Sequence, residues 1–452
     1  MSFLRRIQTN LLEWKASTRR KPLLLRGARQ VGKTTLVQQF AKNYRQFVHL
    51  NLERKSDISY FDDHDDVKIM MESLFLRRGL STLRLPETLL FIDEIQASPK
   101  AIHLIRYFYE DLPELHVITA GSLLEFAIKD VKSMPVGRVQ YMYLHPLDFG
   151  EFLSLQGNVP AMEAFQTVPF PAYAHTTLRD IFHRYAIVGG MPEIVEAYLV
   201  DGRISALPPI YEGIWDTYRS DVKKYSSGQA ERRVIAHIMD SAHLYLDQRI
   251  KFQHFGDSNY KSREVGEALR SLNDAQVIRL IYPTTSMEPP IRPDHRKSPR
   301  LQFLDTGLVN HALGIQADLL ALEDMATVYR GAIIPHLVTQ ELIAAGTMAQ
   351  RIPNFWVRQE LQSSAEVDLL IGHKGILIPI EVKSGVVGKL RSLHQFVDRS
   401  PHPYAVRMYA GALKVERHTT PAGTEYLLMN LPYFLGTKLP EYLEWFTQNH
   451  AL

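Results

Sequence analysis

Eight residues, GARQVGKT from Gly27 to Thr34, constrain this chain more than any other stretch. They meet the spacing G-x-x-x-x-G-K-[ST] in full. An apolar run, PLLLRG, leads into them and a helix-forming run, KTTLVQQFAKNY, leads out. A strand, a glycine-rich loop and a helix in that order aim backbone N–H groups and the positive end of the helix at one point, which is a cradle for phosphate. Gly27, Ala28, Arg29, Gln30, Val31 and Gly32 form the wrap of the loop. Lys33 can reach the β- and γ-phosphates, and the Thr34 hydroxyl, with Thr35 beside it, can ligate Mg²⁺. The expected ligands are ATP and Mg²⁺.

A second run supplies the other half of such a site. In LLFIDEIQ, four apolar residues lead to Asp93 and Glu94 at the end of a buried strand. Asp93 is placed to hold the metal through water and Glu94 to orient the attacking water. Two further positions have two readings each. Ser122, after VITAG, is either a sensor of the γ-phosphate or an ordinary helix N-cap. Arg138, in VGR, is either an arginine finger acting on its own or a neighbour's nucleotide, or a surface arginine.

The remainder of the pattern is α/β. The runs FVHLNLE, TLLFIDEIQ and LHVITAGS have strand length and alternate with helical stretches, so a parallel sheet covered on both faces is expected. We expect a P-loop core over 1–150 and a helical region over 151–228. A winged helix-turn-helix over 229–288 follows from two helices, a tight turn and a strand. The proline-rich, basic loop PPIRPDHRKSPR (289–300) is expected to be exposed. A second α/β unit is expected over 301–425, with a closing strand and helix over 426–452. At the N-terminus, Phe3, Leu4, Ile7, Leu11 and Leu12 fall at helical spacing, with Arg5, Arg6 and Glu13 opposite.

Composition excludes some chemistry. The 452 residues include no cysteine, which removes disulfides, thiolate metal sites and cysteine nucleophiles and fits a reducing cytoplasm. The formal net charge is +3, so a nucleic-acid partner would have to be met by local patches. No apolar run reaches the roughly 18 residues of a membrane span, and the N-terminal stretch does not read as a signal peptide.

The ordered set LLLRGARQVGKTTL, LLFIDEIQ, GSLLEF, VGRV, LHPLDFGEFL, VGGMPEIV, LQFLDTGL and EVDLLI…PIEVKSG resembles a family of AAA+-like ATP-binding proteins of bacteria and archaea. Its members carry a C-terminal restriction-nuclease-like domain of unknown function. The resemblance covers nearly the whole chain. It implies an ATPase core, a small helical region, a winged helix and a nuclease-like fold, with no established substrate.

In restriction-type nucleases an Asp on one strand and a Glu-x-Lys on the next hold a metal. Here Asp368 precedes Glu381, Val382 and Lys383. Residues two apart in a strand share a face, so Glu381 and Lys383 should point together, and a GHKG turn would bring Asp368 alongside. Carboxylate oxygens suit Mg²⁺ and a lysine beside them can position water. The competing reading is a hairpin with opposed surface charges. The resemblance implies a further Glu near the start of an upstream helix, but Pro335 stands there. Glu341 is about 240° further around the helix, and Glu366 shares a face with Asp368 if no bulge intervenes.

Three functional classes follow. The first, which the residues favour, is a slow Mg²⁺-dependent ATPase coupling nucleotide state to a winged helix and a nuclease-like domain. The second is an ATP-regulated nuclease. The third is a module that binds DNA or protein, with Lys261, Arg263 and Arg270 facing the partner and nucleotide as a regulatory ligand.

Overall fold

The computed structural model describes residues 5–121, 137–226, 228–316, 331–348, 352–358, 365–385 and 390–452, with only the backbone of residues 222–225. The chain divides into two compact units. The first comprises Met1–His145 with Asp274–Gln276 and Gly346–Gln350, and the second the remainder.

The first unit is built on β1 (Leu23–Arg26), β2 (Gln46–Asn51), β3 (Thr88–Asp93), β4 (His116–Ala120) and β5 (Gln140–Tyr143). All pairings are parallel and the order is β2-β3-β4-β1-β5. Every residue of β3 and β4 is buried. That explains why these strands read as continuous apolar runs, since helices cover both sheet faces. Phe61, Met70, Leu74, Phe75, Ile102, Ile105 and Phe108 from the helices pack on Leu24, Val48, Leu50, Leu90 and Ile92. Because β1, β4 and β3 run parallel, the loop after β1 and the carboxylate ending β3 open at the same end of the sheet, with β4 between them.

The N-terminal helix differs from the expectation. It runs Ile7–Ala16 and buries Ile7, Leu11 and Trp14, while Leu12 is exposed. Arg5, expected on a polar face, precedes the helix and is buried, donating to the carbonyl oxygens of Val31 at 3.2 Å and His145 at 2.6 Å. A charged side chain enters a core when main-chain acceptors await it. Phe3 and Leu4 lie outside the described residues.

In the second unit, helices Phe149–Leu155, Val159–Gln166, His175–Val188, Pro192–Asp201 and Pro208–Tyr225 come first. Helices Gln229–Ser241 and Ser262–Asp274 follow, then β6 (Ile278–Ile281) and β7 (Pro283–Thr284), with β8 (Arg300–Phe303) antiparallel to β6. Two helices and a strand thus follow one another here, and the strand's antiparallel partner β8 comes from beyond residue 288. A seven-stranded sheet completes the unit from β7, β9 (Asn354–Val357), β10 (Glu366–His373), β11 (Ile376–Val382), β12 (Tyr404–Tyr409), β13 (Lys414–Thr419) and β14 (Glu425–Pro432). Its order is β13-β14-β12-β11-β10-β9-β7. The segment set apart from residue 426 therefore supplies an interior strand, and β7 reaches the same sheet from the stretch expected to be winged helix.

The sequence runs that carried the resemblance meet here as architecture. Asp305 caps helix Thr306–Ala312 through Leu308 N–H at 3.1 Å and accepts Gly190 N–H at 2.6 Å. Burial lifts its carboxyl to about 6 although those N–H groups pull it down. A Cβ on Gly190 would lie 2.1 Å from the Leu147 carbonyl oxygen, which explains the Gly-Gly break. Glu341 accepts the Phe149 N–H at 3.0 and 3.1 Å and lies 2.7 Å from the Tyr185 hydroxyl. Its carboxylate is therefore occupied as a structural acceptor for LHPLDFGEFL.

Candidate functional sites

The loop after β1 has the backbone that phosphate binding requires. Gly27 has φ +156° and Gly32 φ +93°, and Gln30 holds a left-handed φ of 61°. A Cβ on Gly27 would fall 2.3 Å from the Leu144 carbonyl oxygen, so the tight return of the chain there admits only glycine. Ala28 and Val31 are buried, and Val31 is braced from behind by Arg5. Sequence reasoning missed this brace because no pattern links residue 5 to residue 31.

Lys33 opens helix Lys33–Phe40, and its ammonium donates to the Gly27 and Ala28 carbonyl oxygens at 2.9 and 2.7 Å. Burial lowers its pKa to about 8, against the attraction of Glu94 and Asp93, while Arg29 adds to the lowering. A triphosphate would supply the anion that this buried cation lacks. The Thr34 hydroxyl donates to Asp93 Oδ2 at 2.8 Å. The two groups expected to share a Mg²⁺ are thus adjacent, and their oxygen donors fit a hard cation. Thr35 is on the exposed side of the helix.

Glu94 follows Asp93 with φ 52°, a left-handed conformation that turns its side chain away from the strand line. Gln96 Nε2 donates to Glu94 Oε2, and a Cβ on Gly121 would sit 2.2 Å from Gln96 Oε1. Gln96 thus links Glu94 to the tip of β4. His49 stacks on Phe91 with centroids 4.9 Å apart, and its Nε2 is 3.6 Å from Asp93 Oδ2. Neither Gln96 nor His49 was legible beforehand, since both act through neighbouring strands.

Ser122 lies outside the described residues. Arg138 is at the other end of the sheet. It precedes β5, whose Gln140 pairs with Leu23 at the start of β1, and it pairs with Glu110 at 2.5 Å. The phosphate loop follows the opposite end of β1, where Arg26 pairs with Tyr143. Within one chain Arg138 is therefore about a strand's length from that loop.

In the second unit, β10 and β11 pair with Leu369 opposite Ile380, so Asp368 and Glu381 are the next facing residues. The turn between them places Lys374 at φ 45° and Gly375 at φ 82°, a two-residue hairpin of the kind favoured by strand twist. Asp368 Oδ2 accepts the Val382 N–H at 2.9 Å, and Lys383 forms an ion pair with Glu381. The three predicted residues do converge. Burial first, and then the Asp368 charge, raise the Glu381 pKa. Glu381 Oε2 is buried without a hydrogen-bond partner.

A cleft of ≈ 680 Å³ opens here, lined among others by Asp247, Pro335, Asp368, Val382, Lys383 and Ser384. Pro335 faces it, as its place in the sequence implied. Two residues that sequence reasoning misplaced or missed stand here, Asp247 in the lining and Arg300 against it. Arg300, counted in the exposed basic loop, begins β8 with a side chain only 13% exposed. It donates to Glu366 Oε1 at 2.8 Å, Asp247 Oδ1 at 3.2 Å and Asp368 Oδ1 at 3.3 Å. Glu366 and Asp368 therefore share a face; the register shift of β10 against β9 falls between Val367 and Leu370. Asp247 comes from a turn of positive φ, 54°, and its pKa is raised by burial although Arg300 opposes the rise.

Arg263 pairs with Glu267 at 2.8 Å one turn along its helix. Among the described residues no helix is long and apolar enough to cross a membrane.

Comparison with known proteins agrees with the first site. Residues 19–153 match the family model of an AAA domain. Residues 179–319 and 330–427 match two families described as domains of unknown function, DUF8612 and DUF4143. No curated protein matches the chain. Among solved structures, the Walker-type ATPase PABY2304 of Pyrococcus abyssi is 18% identical with a TM-score of 0.45, covering 69% of this chain and 96% of that one. The signal-transduction ATPase PH0952 of Pyrococcus horikoshii, with a tetratricopeptide repeat sensor, is 11% identical with a TM-score of 0.27, covering 76% of this chain and 49% of that one. The Hsp104–ADP complex of S. cerevisiae is 14% identical with a TM-score of 0.27, covering 60% and 39%. The first unit thus carries an AAA-type P-loop ATPase domain, which supports nucleotide binding.

Proposed function

We propose that the chain is a slow, Mg²⁺-dependent ATPase whose nucleotide state is coupled to a winged helix and a nuclease-like domain. The observation that carries this reading is the meeting of Lys33, Thr34 and Asp93 at one end of the parallel sheet. Lys33 leaves the loop carbonyls to meet the β- and γ-phosphates, and the loop N–H groups hold the remaining charge. Thr34 and Asp93 would hold Mg²⁺, directly and through water, and the metal would neutralise charge between the β- and γ-oxygens. Glu94 orients the attacking water once Gln96 releases its oxygen. Arg138 serves only as a trans group, given its place at the far end of the sheet. The test is nucleotide binding and turnover by Lys33→Ala. Both should vanish, and turnover at the parent rate would refute the assignment.

A second reading is favoured by Asp368 and Lys383 lining the cleft, with Glu381 ion-paired to Lys383 beside it. It is an ATP-regulated nuclease, with Asp368 and Glu381 holding the metal and Lys383 positioning water. Supercoiled or branched DNA incubated with Mg²⁺ or Mn²⁺ tests it: cleavage should appear and be lost in Glu381→Ala. The helix-helix-strand segment is read as a winged helix docking on DNA or protein, with the exposed Lys261 and Arg263 toward the partner. A DNA affinity that falls with salt and ignores ATP would instead favour a pure binding module.

A further inference from the structure

We propose that Arg300 is a built-in counter-ion standing where a divalent cation would sit among Asp247, Glu366 and Asp368, so that the cleft takes Mg²⁺ or Mn²⁺ only when the guanidinium leaves. The inference rests on the nuclease-like reading of the cleft and adds the group that closes it.

Two elements deliver three carboxylates to one guanidinium: the turn at Asp247, and β10 with Glu366 and Asp368, all within 3.3 Å of Arg300 nitrogens. The guanidinium also lies 4.7 Å from the centroid of the buried Phe355 ring, which fixes its plane. Behind it, Glu381 is 6% exposed and keeps one carboxylate oxygen without a hydrogen-bond partner. Such an oxygen is costly to bury and marks a place for a cation. Among the described residues, no three ligating side chains lie close enough together to hold an ion. The acids must therefore close on the ion once the guanidinium has left.

The charge balance points the same way. Asp247, Glu366, Asp368 and Glu381 face Arg300, Lys383 and Arg249, the last 3.7 Å from Glu366. With every group ionised the cluster carries one excess negative charge with Arg300 present and two without it; burial holds Asp247 and Glu381 toward their protonated forms, and a divalent cation would favour ionising them. A fixed buried arginine does not deprotonate, so only its movement can open the site.

The test is Mn²⁺ binding to the nucleotide-free full-length chain, read from the loss of the free-ion electron paramagnetic resonance signal. Arg300→Gln should gain one site, with affinity about 10–100-fold above the parent, the range that groups beside metal ligands commonly control. Adding Asp368→Asn to that variant should return it to the parent value. Arg300→Lys, which keeps the charge, should gain nothing. If Arg300→Gln does not fold without metal, Mn²⁺ should restore folding and Asp368→Asn should abolish the rescue. A parent protein that binds Mn²⁺ through Asp368 as tightly as Arg300→Gln does, an Arg300→Gln variant with no new site, or a variant unfolded with and without Mn²⁺ would each overturn the proposal. DNA cleavage is scored separately. Metal bound by Arg300→Gln without cleavage keeps this proposal and removes the nuclease reading. Cleavage by the parent that depends on Glu381, with no new Mn²⁺ site in Arg300→Gln, does the reverse.

Discussion

The Thr34 hydroxyl donates to the Asp93 carboxylate across 2.8 Å, tying the helix after the phosphate loop to the end of β3, 59 residues later. Thr34→Val keeps the volume and removes the oxygen. Nucleotide affinity should fall by about tenfold or more when Mg²⁺ is present and change little in EDTA. Titration with a fluorescent ATP analogue under both conditions measures it. An equal loss in EDTA would mean the hydroxyl serves the loop rather than the metal.

Glu94→Gln removes the base-like oxygen but keeps shape. ATP affinity should stay near the parent's while turnover drops by about 10²–10⁴-fold. Binding by calorimetry and phosphate release in a single turnover separate the two quantities. Unchanged release would reassign the water-orienting role.

Lys33 gives a pH signature. Its pKa falls from 10.5 in the unfolded chain to about 8 when buried. Between those values the unfolded chain binds more protons, so the nucleotide-free protein should gain stability as pH rises from 8 toward 10.5 and lose it as pH falls. Lys33→Met should flatten this slope in melting curves. ATP affinity should run the opposite way and weaken above about pH 8, because phosphate needs the charged ammonium.

An arginine finger is worth about 10³–10⁵ in turnover. With Arg138 at the far end of its own sheet, Arg138→Ala should leave turnover of dilute protein at the parent level. Any loss should appear only as protein concentration rises. A loss of that size at all concentrations would contradict the placement.

Gly190→Ala puts a Cβ 2.1 Å from the Leu147 carbonyl oxygen, and backbone cannot yield as a side chain does. The variant should lose about 1–3 kcal/mol or more of stability, read by thermal melting. Gly202→Ala is the comparison in open space, where only the left-handed φ of 72° opposes the methyl.

The phosphate loop was legible because its chemistry is local. Loop glycines, a lysine and a hydroxyl within eight residues define the cradle, and the apolar strand and the helix around it are read from periodicity. The parallel sheet followed from the same apolar runs. The facing of Asp368 and Glu381 was legible too, since a hairpin with a two-residue turn has one register. Arg5 and Arg300 were not. Each looked like a solvated cation, because a sequence shows the charge of a side chain and not the acceptors waiting for it.

The order of residues alone therefore determined which chemistries this chain could hold: a phosphate-cradle loop, a strand ending in two carboxylates and a second acidic hairpin. Tertiary structure decided what each charge does there. It brought Asp247 and Arg300, 53 positions apart, against strand acids a further 66 positions on. It set Arg138 at the end of the sheet opposite the phosphate loop and turned Glu341 into a structural acceptor. The physical reason is range. Backbone conformation is set by neighbours in sequence, whereas the partners of a buried charge are set by the packing of whole elements, which no local pattern records.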